Sequence, residues 1–152
     1  IDCAEINNDF WPLLNDKRIM PDLAKNILDN KDLILFSDGK ATRTFCYVSD
    51  AVSGYFKALL KGKKGESYNI GSEQPEISMN TLTKLVRDSA KEIFGYTGKI
   101  VYKKSKDGAY LDDNPNRRCP NITKAKTELG YYPQVEIEEG IKRSLIWYRE
   151  NY

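Results

Sequence analysis

The sequence predicts an α/β domain that is mainly helical, with only short strands. Three observations predict it. Apolar residues recur at helical spacing in stretch after stretch, as in Met20, Leu23, Ala24, Ile27 and Leu28. Between these lie short apolar or alternating runs closed by turn residues, such as Leu33 to Phe36 before Ser37-Asp38-Gly39. Apolar residues make up 40% of the chain and charged residues 30%, which suits a folded core rather than disorder.

Taken in order, Ile1 to Asn15 reads as an irregular segment that docks by its aromatics. Asn7, Asn8, Pro12 and Asn15 break any long period, while Phe10, Trp11, Leu13 and Leu14 are strongly apolar. Pro21 then fits the first turn of a helix, where its missing N–H is no loss. That helix frays at Asp29-Asn30. The next stretch, Leu33 to Asp50, organises the rest. It predicts a buried strand over Leu33 to Phe36, a turn, and a second strand over Thr42 to Val48. Ser49-Asp50 is expected to cap a helix carrying Ala51, Val52, Tyr55, Phe56, Leu59 and Leu60 inward. Arg43 falls near the bend of this unit, where its guanidinium could meet an anion from outside.

Lys61 to Glu66 is a wet basic turn, and Ser67 to Ile70 a short strand closed by Gly71. Ser78 caps a helix with Met79, Leu82, Leu85, Val86, Ala90 and Ile93 inward, ended by Gly95 and Gly98. Lys99 to Lys103 alternates as a strand. Ser105 to Pro120 has no apolar period and reads as a long loop, of the kind that is functional or mobile. Asn121 caps a short helix with Ile122, Ala125 and Leu129 inward and Gly130 as its stop. Ile137, Ile141, Leu145 and Tyr148 mark a last amphipathic helix. Tyr47, Tyr55, Phe56, Trp147 and Tyr148 are expected mostly in the core.

The composition excludes several classes. A length of 152 residues argues for one domain. A net charge of +2 is too small for a nucleic-acid surface. No apolar run is long enough to span a bilayer, and no charged-then-apolar leader opens the chain. Cys3, Cys46 and Cys119 lack CxxC spacing, which fits reduced thiols and a cytoplasmic location. The absence of histidine removes the commonest general base and metal ligand, so no metal is expected. The chain begins at Ile1 without an initiator Met and reads as a piece of something longer.

The residues that carry chemistry are arginines. Arg18, Arg43 and Arg118, with Arg117 beside the last, fall in loop-like or bend-like settings. A guanidinium grips phosphate with two parallel hydrogen bonds and keeps its charge. Taken singly, each is better read as a solvated surface charge. Asp112-Asp113 reads as a turn before Asn114-Pro115. There is no GxGxxG, no P-loop and no GxSxG, so no catalytic constellation is complete within these residues.

Together these pieces resemble the C-terminal part of the extended short-chain dehydrogenase/reductases, the NAD-dependent nucleotide-sugar epimerases and dehydratases. Asn15-Asp16-Lys17-Arg18-Ile19-Met20-Pro21 is similar to the family's N-D-G-R-V-I-P segment. Phe36 to Asp50 is similar to VYGDGxQTRxFxYVxD, and Ser67 to Gly71 to the xxNIG strand. Asp112 to Ile122, with Lys124-Ala125-Lys126 and Leu129-Gly130-Tyr131, is similar to DDPxxRxPDIxKAxxxLGW. Ile137 to Ile141 resembles LEEGL. The UDP-glucuronate decarboxylases are the subgroup most resembled, with the dTDP-glucose 4,6-dehydratases next.

The resemblance implies the substrate-binding lobe of such an enzyme, lacking the Rossmann lobe that binds NAD. It implies that Arg43 and Arg118 grip the diphosphate of a nucleotide-diphosphate sugar. Arg18 is implied to reach the sugar or its phosphates and to assist proton transfer. Phe36 stands where the family often has a tyrosine next to the base. In the parent, NAD takes a hydride from C4 of the hexose, and the 4-ketone then labilises neighbouring bonds. The piece alone is expected to bind no cofactor, to be inactive and to be a monomer. Its parent is expected to be a homodimer whose contacts come mostly from the missing NAD-binding half. Two departures stand out. Asn8-Asp9-Phe10-Trp11-Pro12-Leu13 lacks the glycines the family has around this proline, which implies an altered approach to the site, and Ala41 replaces a usual glutamine. The rival reading is a non-catalytic helical interaction domain with scattered arginines.

Overall fold

A computed structural model of the protein describes residues 18–103 and 115–152. In chain order it contains α1 (Ile19–Leu28), β1 (Leu33–Leu35), β2 (Thr42–Arg43), α2 (Val48–Lys61), β3 (Ile77–Ser78), α3 (Met79–Phe94), β4 (Ile100–Tyr102) and β5 (Arg117–Arg118). A π-helical turn, Ala125–Leu129, and α4 (Ile137–Asn151) complete it. The expected aromatic opening segment, Cys3 and Asp112-Asp113 lie outside the described residues.

α1 starts where expected. Arg18 keeps an extended backbone (φ −69°, ψ 152°), and its carbonyl accepts the Asp22 N–H at 3.2 Å to open the helix. Its apolar face, Met20, Leu23, Ala24 and Ile27, is buried. β1 lies parallel to β4, with Leu33 opposite Ile100 and Leu35 opposite Tyr102. Parallel neighbours need a long crossover, and here the intervening chain includes α2 and α3. Ser78 caps α3 as its sequence predicts, its Oγ accepting the Thr81 N–H at 3.1 Å. Gly95 ends that helix in the left-handed region (φ 69°).

The turn after β1 needs its glycine. Gly39 has φ +68°, and a Cβ there would lie 2.1 Å from Asn80 Oδ1. Asn80 is itself fixed, donating to the Asp38 carbonyl and accepting from the Tyr102 hydroxyl, both at 3.0 Å. The side chain at the start of α3 thus holds the turn between β1 and β2.

Among the described residues two apolar clusters form the interior. The larger joins α1, α3 and α4 through Leu23, Ile27, Leu82, Val86, Ile141 and Leu145. The smaller gathers Tyr68, Ile70, Ile122, Ala125, Leu129 and Tyr131 under α2. Tyr131 is 1% exposed and ties that cluster together. Its hydroxyl donates to the Gly71 carbonyl at 2.9 Å and lies 3.4 Å from Cys46 Sγ.

Several expectations are corrected. The second strand is only Thr42–Arg43, because its ladder partners β3 and β5 are themselves only two residues long. α2 begins at Val48 rather than after a Ser49-Asp50 cap. The Asp50 carboxylate instead accepts the Gln134 and Val135 N–H groups, both at 2.9 Å, and so fixes the chain leading into α4. The inward face of α2 is its small-residue face. Ala51 and Gly54 are buried, and a Cβ on Gly54 would lie 2.4 Å from Ile70 Cγ2. The larger stripe faces outward, with Phe56 60%, Leu59 73% and Leu60 79% exposed. Periodicity detected both faces, and a close helix approach selected the one with no bulk. Trp147 is likewise 41% exposed, while Tyr148 is in the core. Ser67 to Ile70 alternates exposed and buried residues as a strand would but joins neither sheet, and Arg117-Arg118 is a strand rather than loop.

Leu82→Ala removes a fully buried side chain from between three helices. It is expected to cost about 3 kcal/mol, read as a lower midpoint in urea with an unchanged slope.

Candidate functional site

The second sheet has the order β3-β2-β5. β2 runs antiparallel to β3, with Thr42 opposite Ser78, and parallel to β5. In the parallel pair Thr42 is opposite Arg117 and Arg43 is opposite Arg118. The Thr42 N–H donates to the Asn116 carbonyl at 2.8 Å and the Thr44 N–H to the Arg118 carbonyl at 3.3 Å, which fixes this register. Successive side chains leave a strand on opposite faces. The sheet therefore sorts its polar residues into two sets.

On one face Glu76 is the hub. One of its oxygens accepts the Thr42 hydroxyl at 2.6 Å. Arg117 donates through Nε and Nη2 to the two carboxylate oxygens, at 3.0 and 2.8 Å. The Thr42 hydroxyl first, and the Arg117 guanidinium next, hold the Glu76 carboxyl below its usual range. Arg117 is thereby committed to a structural carboxylate.

The other face carries Arg43 and Arg118 side by side. Arg43 is buried, 7% exposed, and its Nη1 donates to the Thr42 carbonyl at 2.7 Å. Arg118 is half-buried. Two guanidinium-bearing residues thus stand at paired positions on one face, a chemistry suited to an anion.

Glu73 ties the chain that follows β5 to the loop around Pro75. The Cys119 thiol donates to the Glu73 carbonyl at 3.5 Å, and the Ile122 N–H donates to Glu73 Oε1 at 2.9 Å. Lys126 pairs with the second carboxylate oxygen. The Lys126 ammonium first, then the Ile122 N–H, hold the Glu73 carboxyl below the ordinary range. Sequence reasoning missed both Glu73 and Glu76. The only signal was their place on either side of Pro75 in a loop, and their partners lie far along the chain.

The other two sequence-predicted site residues stand on other elements. Arg18 is at the start of α1 and half-buried, and Phe36 follows β1 with 42% of its surface exposed. Cys46 is not a nucleophile candidate. Burial raises its thiol above the ordinary range, only partly offset by the Tyr131 hydroxyl. Burial, and then Cys46, likewise raise Tyr131 well above an ordinary phenol, so it stays a neutral donor. Among the described residues no group of three or more His, Cys, Asp or Glu could hold a metal ion. No helix among them is long and apolar enough to cross a membrane.

The half-helical architecture with few short strands matches the epimerase/dehydratase fold of the short-chain dehydrogenase/reductases. The profile of the NAD dependent epimerase/dehydratase family matches residues 12–71. The chain is 33% identical over 149 residues to UDP-glucuronic acid decarboxylase 1 of Xenopus tropicalis, covering 97% of this chain and 33% of that one. Among solved structures it is similar to the UDP-glucose 4-epimerase of Thermotoga maritima with UDP-glucose. That likeness has a TM-score of 0.71 and 32% identity, over 86% of this chain and 38% of the epimerase. It is also similar to the UDP-glucuronic acid 4-epimerase of Bacillus cereus in complex with UDP-glucuronic acid and NAD. There the TM-score is 0.73 and the identity 28%, over 90% of this chain and 41% of that one. The chain thus spans between a third and about two-fifths of the length of these relatives.

Glu73→Gln tests the tie between the Pro75 loop and the segment of Ile122 and Lys126. A folded-state pKa below the unfolded value stabilises above the unfolded pKa near 4.3, and the gain is lost as pH falls through the folded value. The variant is therefore expected to melt a few degrees lower than the parent at pH 7. The two melting temperatures should converge near pH 3, as followed by circular dichroism.

Proposed function

We propose that this chain is the nucleotide-sugar-binding domain of an NAD-dependent enzyme, with UDP-glucuronate decarboxylation as the reaction class that fits best. One observation carries the reading. The register of β2 and β5 sets Arg43 beside Arg118. A diphosphate between two guanidiniums can accept charge-assisted hydrogen bonds from both, the strong kind. Arg117, one residue away, is excluded from that role by its pairing with Glu76.

In this reading Arg43 and Arg118 hold the diphosphate, and Phe36, an exposed aromatic beside a turn, packs against the base. Arg18, at the start of α1, reaches the sugar and assists the proton transfer. The likeness to a UDP-glucuronic acid decarboxylase and to epimerases solved with UDP-glucose and UDP-glucuronic acid supports a UDP-sugar as ligand.

The NAD seat is a different matter. A dinucleotide is usually held on a glycine-rich turn from a strand into a helix. Here the glycine turn after β1 leads into another strand, and α3 follows β3 through a serine cap. These residues do not fit the cofactor, so no step through NAD is assigned to them. Hydride chemistry is the cofactor's contribution, and in this reading it is supplied by a part of the enzyme that the relatives have and this chain does not span.

Calorimetry with UDP and UDP-glucuronate tests the proposal. Saturable binding is expected for the chain. Arg118→Ala should weaken it about tenfold or more. Arg43→Lys, which keeps the buried charge but loses the bidentate fork, should also weaken it. Unchanged binding in the Arg118 variant would refute the site. With NAD and UDP-glucuronate the chain alone is expected to form neither NADH nor UDP-xylose.

A further inference from the structure

Glu76 stands immediately before β3, yet its side chain is taken by the other two strands of the sheet. One carboxylate oxygen accepts the Thr42 hydroxyl of β2 at 2.6 Å. The same oxygen accepts Arg117 Nε of β5 at 3.0 Å, and the second accepts Nη2 at 2.8 Å. A single carboxyl thus spans all three strands. Its fork with Arg117 is bidentate, the geometry that adds direction as well as energy. The Glu76 side chain is only 27% exposed, so the pair is better shielded than an ordinary surface ion pair.

The sheet needs such a tie. β2, β3 and β5 are each two residues long. So few ladder bonds fix a register poorly by themselves. Of the two backbone bonds that join β2 to β5, one is 2.8 Å and the other 3.3 Å. Register matters here because side chains alternate. With Arg117 drawn to the Glu76 face, Arg118 leaves β5 on the opposite face, at the position paired with Arg43. Both residues are arginines, so charge alone would let either satisfy Glu76. The chain beyond them makes the selection. The Cys119 thiol and the Ile122 N–H are tied to Glu73, three residues before Glu76 in the same loop.

We infer that Glu76 is a positioning residue for the anion site: through Arg117 and Thr42 it holds β5 so that Arg118 meets a diphosphate beside Arg43. This rests on the nucleotide-sugar reading above for the ligand. Glu76 itself lies on the far face of the sheet, and its charge opposes an anion. That contrast separates positioning from plain electrostatics. If Glu76 acted only as a nearby negative charge, removing it would tighten the binding of an anion. Acting by position, its removal loosens binding even though the chain becomes more positive.

Calorimetry with UDP on the 152-residue chain and on Glu76→Gln reads that sign. The variant is expected to bind UDP about tenfold more weakly than the parent. Equal or tighter binding overturns the inference. Arg117→Ala and the double variant complete a cycle. Because Glu76 acts through Arg117, the double variant should bind within about twofold of Arg117→Ala alone. Fully additive losses would overturn the inference. Amide exchange followed by NMR reads the strand itself, without a ligand. The Thr42 and Thr44 amides, which bond across to Asn116 and Arg118, are expected to exchange about tenfold faster in Glu76→Gln, with Leu82 and Val86 of α3 keeping the parent's rate. An unchanged rate at Thr42 and Thr44 also overturns the inference. Should Glu76→Gln fail to fold, Thr42→Val and Thr42→Ser take its place. The valine removes a hydroxyl that Glu76 accepts and should weaken UDP binding, and the serine keeps it and should recover most of the loss. Equal affinities in that pair overturn the inference. A parent that binds no UDP sinks the nucleotide-sugar reading and this inference with it. A parent that binds, with a Glu76 variant that binds as well, sinks the inference alone.

Discussion

Two backbone hydrogen bonds decide which arginines share a face of the second sheet. Thr42 N–H to Asn116 and Thr44 N–H to Arg118 lock β2 to β5 in parallel register. A slip of one residue would flip every side chain on β5 to the other face. Arg117 would then stand beside Arg43, and Arg118 would face Glu76. The sheet is only a few residues deep, so it cannot hold that register by length. It is held from outside, by Glu76 on one face and by Glu73 behind the strand. Glu73 joins the Ile122 backbone and Lys126 to the loop around Pro75.

The rest of the fold serves to keep those strands still. The cluster of α1, α3 and α4 takes in Leu33 of β1 and Ile100 of β4. The smaller cluster, under α2, is anchored by Tyr131, whose neutral hydroxyl joins Gly71 to Cys46. Asp50 then couples α2 to the start of α4. α2, over the second cluster, keeps Phe56, Leu59 and Leu60 exposed on its outer face.

Much of the fold was legible because local rules governed it. The helices α1, α3 and α4 were read from apolar period and caps, with Ser78 and Gly95 doing as their chemistry directs. β1 and β4 were read from apolar or alternating runs. What failed was everything set by distant partners. Asp50 looks like a cap, yet its carboxylate serves backbone groups of Gln134 and Val135. Phe56 and Leu59 look like core by period, but the smaller residues Ala51 and Gly54 won the interior because they allow closer approach. Arg117-Arg118 looks like loop because a two-residue strand has no pattern of its own. The site was half legible. Guanidinium chemistry pointed to Arg43 and Arg118, but nothing local could separate Arg118 from Arg117, nor name Glu73 and Glu76.

The central claim is that one diphosphate lies between Arg43 and Arg118. A crystal structure of the protein soaked with UDP addresses it most directly. The account predicts phosphate oxygens within hydrogen-bond distance, about 2.7–3.2 Å, of both guanidiniums, with the Arg117–Glu76 pair intact. Diphosphate density on any other face, with Arg43 and Arg118 untouched, would contradict it.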